Sequence, residues 1–578
     1  VYYEDKGRKS PTDKLVANYN RLYKELEEVN PNVIIALGSE AMKALNRNTL
    51  GQVEKWRGSL ISAGRFKMVS TYHPSMLVRG GKTKDGVPIR PIMLLDFKKA
   101  LRESSSPELF YKERSRLINP TAKQAVDFLQ NILDTKCEVS VDIETERGQI
   151  SCIGFAVSPT RSICIPFVNK EGRYWGDSEY DIINNRIKWI LKDTKILKIG
   201  QNFTYDMAWL DRDYCRTESF YFDTYVGMNT AFPEFPYGLA FMTSIFTDIP
   251  YYKDDGKAHA KVRDYDKLYN YNCNDVLATF ECYQKLKDEI AYNKLERMFD
   301  FRMNTFRTMY EISKRGILFD SKNRNMRRKE SRSKLAELGE QINREVGREI
   351  NPGSPKQLKD YIYGELGIKE ITKRGTDTVT LDENTLKKLA VRYPDKKIFN
   401  LLLEHREEAK FNSTYLGVQT DKDGRIRCSY GLAETGRLRS SKTPFRTGTN
   451  LQNQPHRVKD LYLADEGRNL VELDYSQAEA RVVAYDSRDE NLIKLFEIGK
   501  GDLHKINASN IFGIPIEQVT NKERQLGKKV AHATNYGMGP RTMVESIIKE
   551  MGVEYAISER EAKLFQANYH KAYPGIGR

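Results

Sequence analysis

The apolar run Val33-Ile34-Ile35-Ala36-Leu37 passes through Gly38-Ser39 into an alanine-rich segment, the pattern of a strand entering a helix. Residues 68–79 read as a second strand, ending in Tyr72-His73-Pro74-Ser75, so the first hundred residues have α/β patterning. A polar stretch with Ser104-Ser105-Ser106-Pro107 breaks that pattern and marks a linker. Residues 138–143 and 151–157 are short apolar runs separated by Arg147-Gly148, which predicts adjacent antiparallel strands. Helical stretches follow, and residues 116–290 read as a second α/β domain. Residues 292–345 are helical in pattern and strongly charged. After the break at Asn351-Pro352-Gly353-Ser354-Pro355 come more helices, a strand at 469–473, and long helices to the end. The expected class is a multidomain chain, α/β first and α+β later.

Length agrees: 578 residues are too many for one core, and roughly 150 residues per domain gives three or four. Lys plus Arg outnumber Asp plus Glu by 94 to 79, a net charge of +15, which suits a polyphosphate partner. No apolar run approaches the roughly 18 residues that span a bilayer, so no membrane role is indicated. The seven cysteines include no C-x-x-C pair, which argues against a disulfide framework or a zinc site and favours a reducing, cytoplasmic compartment. Val1 opens a polar stretch with no signal pattern, and the chain reads as a fragment whose own N-terminus lies upstream.

Candidate chemistry begins at Asp142 and Glu144. Two apart on a predicted strand, they face the same way and would repel unless a cation lay between them. Asn202-Phe203-Thr204-Tyr205-Asp206 follows another apolar run, and Tyr271 and Asp275 share a helix face at i,i+4. These segments, in this order, resemble the three exonuclease motifs of the DnaQ-like superfamily, proofreading enzymes built on an RNase H-like sheet. The resemblance implies two Mg²⁺ or Mn²⁺ ions, with Asp142 bridging both, Glu144 and Asp275 on one, Asp206 reaching the other through water, and Tyr271 orienting the attacking water. The 3′ end of single-stranded DNA would be the substrate.

Farther on, Val471-Glu472-Leu473-Asp474 puts a carboxylate at the tip of the predicted strand, and Arg524, Lys528, His532 and Tyr536 recur every four residues along a predicted helix. The segments from Asp474 to Arg481 and from Arg524 to Gly537 resemble motifs A and B of family A, polymerase I type DNA polymerases. Ser354-Pro355-Lys356-Gln357-Leu358, Ser413-Thr414-Tyr415, Thr435-Gly436-Arg437-Leu438-Arg439-Ser440-Ser441, Asn450-Leu451-Gln452-Asn453 and Asp502-Leu503-His504 resemble further marks of that family. The resemblance implies a thumb, part of a palm, and fingers over residues 291–578. Asp474 would bind two catalytic Mg²⁺ ions, with Gln477 and Glu479 on the nucleotide site and Glu479 on its sugar side. His504, Arg524 and Lys528 would hold the phosphates of a dNTP, and His532 and Tyr536 would line the nascent pair. Lys356, Gln357, Arg437, Asn450 and Gln452 would touch primer-template DNA.

The seven Lys or Arg at 321–334 suit either a solvated helix face or the phosphate backbone, and their place in the thumb favours the backbone. His532 departs from the family's usual Phe or Tyr beside the incoming sugar. The family's motif C, which supplies a second metal-binding aspartate, would lie past Gly575, so the expectation is a competent exonuclease joined to a palm that extends DNA poorly.

Residues 1–103 resemble the later part of a family 4-type uracil-DNA glycosylase, on Pro31 to Gly38, Trp56-Arg57-Gly58 and Thr71-Tyr72-His73-Pro74-Ser75. That family's first motif is absent, so glycosylase chemistry is not expected. His73 is left between contacting DNA and capping a strand. The fusion resembles an arrangement in large bacteriophages, which implies replication in a host cytoplasm. A stand-alone 3′→5′ exonuclease and a non-catalytic DNA-binding module are the competing readings; the first leaves the marks from Ser354 to Tyr536 without purpose.

Overall fold

The computed structural model describes residues 13–46, 51–256, 262–373, 377–433, 435–498 and 502–577. The chain divides into two units: residues 1–316 with 427–453, and residues 317–426 with 454–578.

The first unit opens with α1 (Asp13–Val29), β1 (Ile34–Leu37), α2 (Ser39–Leu45), α3 (Val53–Trp56), β2 (Leu60–Ala63), β3 (Phe66–Thr71), α4 (Ser75–Val78) and α5 (Ile89–Glu103). β3 is central, parallel to β1 and antiparallel to β2, and every one of its residues is buried. The predicted second strand therefore stops at Thr71 rather than 79. Pro74 has no N–H for the ladder, and His73 Nδ1 accepts from Ser75 N (3.1 Å) at the start of α4. His73 is exposed and occupied locally as a turn-forming side chain.

Next come β4 (Ser115–Leu117), α6 (Ala122–Thr135), β5 (Val139–Glu146), β6 (Gln149–Ser158), β7 (Arg161–Pro166), the short β8 (Val168–Asn169) and β9 (Gly172–Arg173), and α7 (Asp177–Lys192). β10 (Lys198–Gly200), α8 (Thr204–Asp213), β11 (Phe220–Asp223), α9 (Thr224–Ala231), α10 (Leu239–Phe246), α11 (Tyr265–Tyr292) and α12 (Glu296–Arg315) complete the run. One sheet of order β11-β10-β5-β6-β7-β4 organises it. β5 and β6 form the expected antiparallel pair, β7 extends it into a meander, and β10, followed by β11, joins parallel to β5. β5 and β6 alternate too little to leave a wet face, because α6 and α11 cover them with Phe128, Leu129, Ile132, Val276, Leu277 and Phe280. A hairpin of strands Ser429–Leu432 and Leu438–Ser441 packs into this core through Leu432, whose carbonyl accepts from Tyr225 Oη.

In the second unit, the strand Ile317–Phe319 interrupts the helical pattern predicted for 292–345, pairing with Arg425–Ile426 and Tyr462–Leu463. The basic helix α13 (Ser321–Val346) is capped by Asp320, whose side chain accepts from Asn323 N. Some of its cations are engaged within the protein: Arg324 donates to Val418 O, Arg327 pairs with Asp460, and Lys334 reaches Glu408 at 3.4 Å. Lys322, Lys329 and Arg332 stay exposed. Two π-helical turns, Asp360–Glu365 and Phe411–Tyr415, follow, the second carrying Ser413-Thr414-Tyr415. A separate core gathers Leu503, Ile511, Val530, Met543, Ile547, Tyr569 and Tyr573 from the later helices.

The strand predicted at 469–473 does not form. Residues 469–475 lie outside any strand, and Leu470, Val471, Leu473 and Tyr475 are exposed. A strand gains its hydrogen bonds from a neighbour, and among the described residues none runs beside this segment.

Candidate active site

The hairpin of β5 and β6 fixes the first two acids. Asp142 pairs with Gly154 and Glu144 with Cys152 in an antiparallel register. Both side chains project from β5 toward α11, which brings Asp275 to them. Ligand oxygens of Asp142, Glu144 and Asp275 lie within 4.8 Å of one another. Among the described residues this is the one group of three or more acid, His or Cys side chains so placed. Close approach of helix to sheet depends on Gly154: a Cβ there would stand 2.5 Å from Asn272 Oδ1 and 3.0 Å from Val276 Cγ1. Asn272, one residue past Tyr271, uses that space to donate Nδ2 to Asp142 Oδ2 at 2.8 Å.

Asp206 arrives from a different turn. Asp223 at the end of β11 accepts from Asn202 N (2.9 Å) and Phe203 N (2.8 Å), holding Asn202 in the left-handed region at φ 53°. Gly200 makes the turn possible, since a Cβ would lie 2.4 Å from the Phe203 ring. α8 then begins, and buried Asp206 accepts from Ile143 N at 2.9 Å, between Asp142 and Glu144 in sequence. The four predicted acids are thus assembled about β5.

Two residues not foreseen in the sequence complete the cluster. Lys253 Nζ donates to Asp275 Oδ1 (2.5 Å) and to Tyr271 Oη (3.1 Å), and Tyr252 Oη donates to the same Asp275 oxygen (2.6 Å). They come from a loop between α10 and α11, where no strand or helix period could mark them.

Charge follows geometry. Removal from water, then the charge of Asp275, pushes the Asp142 carboxyl up to about 8. Burial and then Asp142 also raise Glu144 and Asp206. Burial, followed by Asp275, raises Tyr271, which stays a neutral phenol able to donate. Hard oxygen donors at this spacing fit Mg²⁺ or Mn²⁺. A pH dependence follows. The folded, ion-free cluster binds protons that the unfolded chain releases above about 4, so its stability falls as pH rises from about 4 to about 8. Thermal melts without metal should show that decline, and the melting-temperature gain on adding Mg²⁺ should grow with pH.

The second unit holds most of the other predicted residues. Arg524 and His532 lie on the helix Asn521–Asn535 with exposed Lys528, while Tyr536 caps its C-terminus and is exposed. Arg524 Nε pairs with Asp502 Oδ2 (2.6 Å), the residue that also caps the helix carrying His504. His504 Nδ1 is buried without a hydrogen-bond partner, and burial, then Lys528 and Arg524, lower its pKa. His532 Nδ1 lies 3.7 Å from Glu479 Oε2. Gln477 adopts a left-handed conformation (φ 55°) to start the helix of Glu479. Asp474 is exposed and belongs to no such acid cluster among the described residues. Lys356 and Gln357 sit on a short exposed helix capped by Ser354. In the first unit, Asn450 Oδ1 accepts from Ser440 Oγ (2.6 Å), and Gln452 Nε2 donates to Leu438 O (3.0 Å), bracing the hairpin beside exposed Arg437.

Three family models match segments of the chain. Residues 321–578 match the family model for DNA polymerase family A, residues 118–291 that for 3′-5′ exonuclease, and residues 2–92 that for the uracil DNA glycosylase superfamily. The chain is 29% identical over 465 residues to DNA polymerase I of Pseudomonas aeruginosa, covering 76% of this chain and 49% of that protein. It is 33% identical over 255 residues to the thermostable DNA polymerase I of Thermus aquaticus, covering 42% and 28%. The chain thus spans about half or less of these relatives' lengths. The polymerase domain of Pol1 from M. smegmatis, solved with DNA primer-template and dNTP, has a similar fold: TM-score 0.59 at 22% identity, over 80% of this chain and 77% of that one. Among the described residues, no helix is long and apolar enough to cross a membrane.

Proposed function

We propose that this chain, which carries a family A DNA polymerase domain, a 3′-5′ exonuclease domain and a uracil DNA glycosylase superfamily domain, removes nucleotides from the 3′ end of a DNA primer. The supporting observation is the cluster of Asp142, Glu144 and Asp275 on β5 and α11, with Asp206 bonded to the same strand. These carboxylates would hold two Mg²⁺ or Mn²⁺ ions, which when bound supply an activated water and charge for the leaving 3′ oxygen. Tyr271, kept as a phenol, orients the water, and Asn272 fixes the rotamer of Asp142.

The polymerase domain recognises the same primer-template through Lys356, Gln357, Arg437, Asn450 and Gln452. A dNTP would meet His504, Arg524 and Lys528 with its phosphates, Gln477, Glu479 and His532 near its sugar, and Tyr536 at the base pair. Asp474 is its metal-binding acid, but it stands exposed on an unpaired segment. Extension by these residues is accordingly weak, and processivity or replisome factors are outside this reading.

The test uses a 5′-labelled primer on a longer template with Mg²⁺, with and without deoxynucleotides. Primer shortening without extension is the expected outcome. Efficient extension would refute the weak-palm half of the proposal, and an intact primer would refute the exonuclease half.

A further inference from the structure

Lys253 and Tyr252 reach the carboxylate cluster from a loop that has a second set of contacts. Their loop is held from the opposite side by the N-terminal domain, and the grip has two parts. At the root, Lys99 Nζ, itself buried, donates to Gly58 O (2.7 Å), Ser244 O (2.9 Å) and Thr247 O (2.8 Å), while Arg57 Nη1 donates to Ser244 Oγ (3.0 Å). This fixes the C-terminal end of α10, from which the loop departs. At the tip, Lys55 Nζ binds both carboxylate oxygens of Asp254 (3.0 and 2.9 Å), and the Trp56 and Tyr251 rings meet with centroids 5.4 Å apart.

The loop presents its residues to two sides. Tyr251 and Asp254 face α3, whereas Tyr252 and Lys253, between them, point into the exonuclease cluster. Tyr252 is buried against the Tyr271 ring, with centroids 5.7 Å apart. Lys253 Nζ lies 4.8 Å from that ring's centroid as well as bonding its hydroxyl. Gly256 closes the arrangement against the same tyrosine.

We propose that the N-terminal domain is a positioning element of the exonuclease: Lys55 and Trp56 clamp the 248–256 loop so that Lys253 and Tyr252 set Asp275 and Tyr271 in place. This rests on the exonuclease reading above. Lys55 and Trp56 act only through the loop, and Lys253 acts through Asp275 and Tyr271, so all three are positioning residues. The domain thereby serves nuclease chemistry.

The test uses the full chain. Lys55→Ala/Trp56→Ala should slow single-turnover removal of a 3′ nucleotide at saturating Mg²⁺ about tenfold, the scale expected of a small misplacement. Asp254→Ala, approached from the exposed loop side, should act in the same direction. Lys253→Ala should be slower still, Lys253→Arg should recover part of the rate, and adding Lys55→Ala/Trp56→Ala to Lys253→Ala should cost almost nothing more. Hydrogen exchange should quicken in the 248–256 segment of Lys55→Ala/Trp56→Ala and stay unchanged in α6. Independent, additive rate losses or unchanged exchange at 248–256 would overturn the proposal. A wild-type chain without metal-dependent nuclease activity would instead refute the underlying reading, and the exchange measurement alone would then decide whether the clamp exists.

Discussion

Asp142→Ala should lower the single-turnover exonuclease rate about a thousandfold, equivalent to several kcal/mol of lost transition-state stabilisation. Asp142 is the acid that all the others surround. It lies on the central strand, accepts from Asn272, and shares a space of less than 5 Å with Glu144 and Asp275. Removing it takes away a ligand oxygen that no neighbour can replace, because Asp206 is turned to the Ile143 amide. The variant should nevertheless fold well. A cluster whose charges repel is relieved when one acid is deleted, so the ion-free melting temperature should hold or rise while the Mg²⁺-induced gain shrinks. Melts with and without Mg²⁺, run beside the nuclease assay, check both halves.

Asp96→Ala should destabilise the protein by about 3–5 kcal/mol, the cost of leaving a buried ionic partner uncompensated. Asp96 accepts from Arg57 Nε (3.0 Å), from a second Arg57 nitrogen and from Thr71 Oγ1 (2.7 Å), and both members of the ion pair are almost wholly buried. The guanidinium left behind could only be hydrated by opening the contact between α5 and α10. Unfolding followed by circular dichroism should therefore show an early transition that the wild type lacks. Asp96→Asn, which keeps an acceptor for Thr71 and Arg57, should lose less. Equal stability of Asp96→Ala and wild type would mean that this pair does not hold the N-terminal domain in place.

The acids were legible in the sequence because three segments, in order, resemble the DnaQ-like exonuclease motifs, and two of those segments place their residues on one face of a regular element. Asp142 and Glu144 share a strand face, Tyr271 and Asp275 a helix face, and Arg147-Gly148 marks the turn that sets the strand register. Lys253 and Tyr252 were not legible, since an irregular loop gives its residues no face until it is docked. Nor could Trp56-Arg57-Gly58 reveal that Arg57 and Lys99 would reach α10, a contact between segments almost 190 residues apart in the case of Arg57 and Ser244. At 469–473 the apolar residues Leu470, Val471 and Leu473 read as a strand, yet apolar composition gives only a propensity. Forming it requires a neighbour, which the described residues do not provide. Of the stripe read as a helix, Arg524, Lys528 and His532 lie on one and Tyr536 falls at its C-cap, but the ties to Asp502 and Glu479 emerged only in three dimensions.

On the proposed function, the four acids around β5 form a metal-dependent nuclease that works from the 3′ end. The most direct measurement is digestion of a 5′-labelled single-stranded oligonucleotide with Mg²⁺, with EDTA, and with a 3′-terminal phosphorothioate. A ladder shortening stepwise from the 3′ end, absent with EDTA and slowed at its first step by the phosphorothioate, is the predicted result; release of the 5′ label as a short product, or digestion unaffected by EDTA, would contradict it.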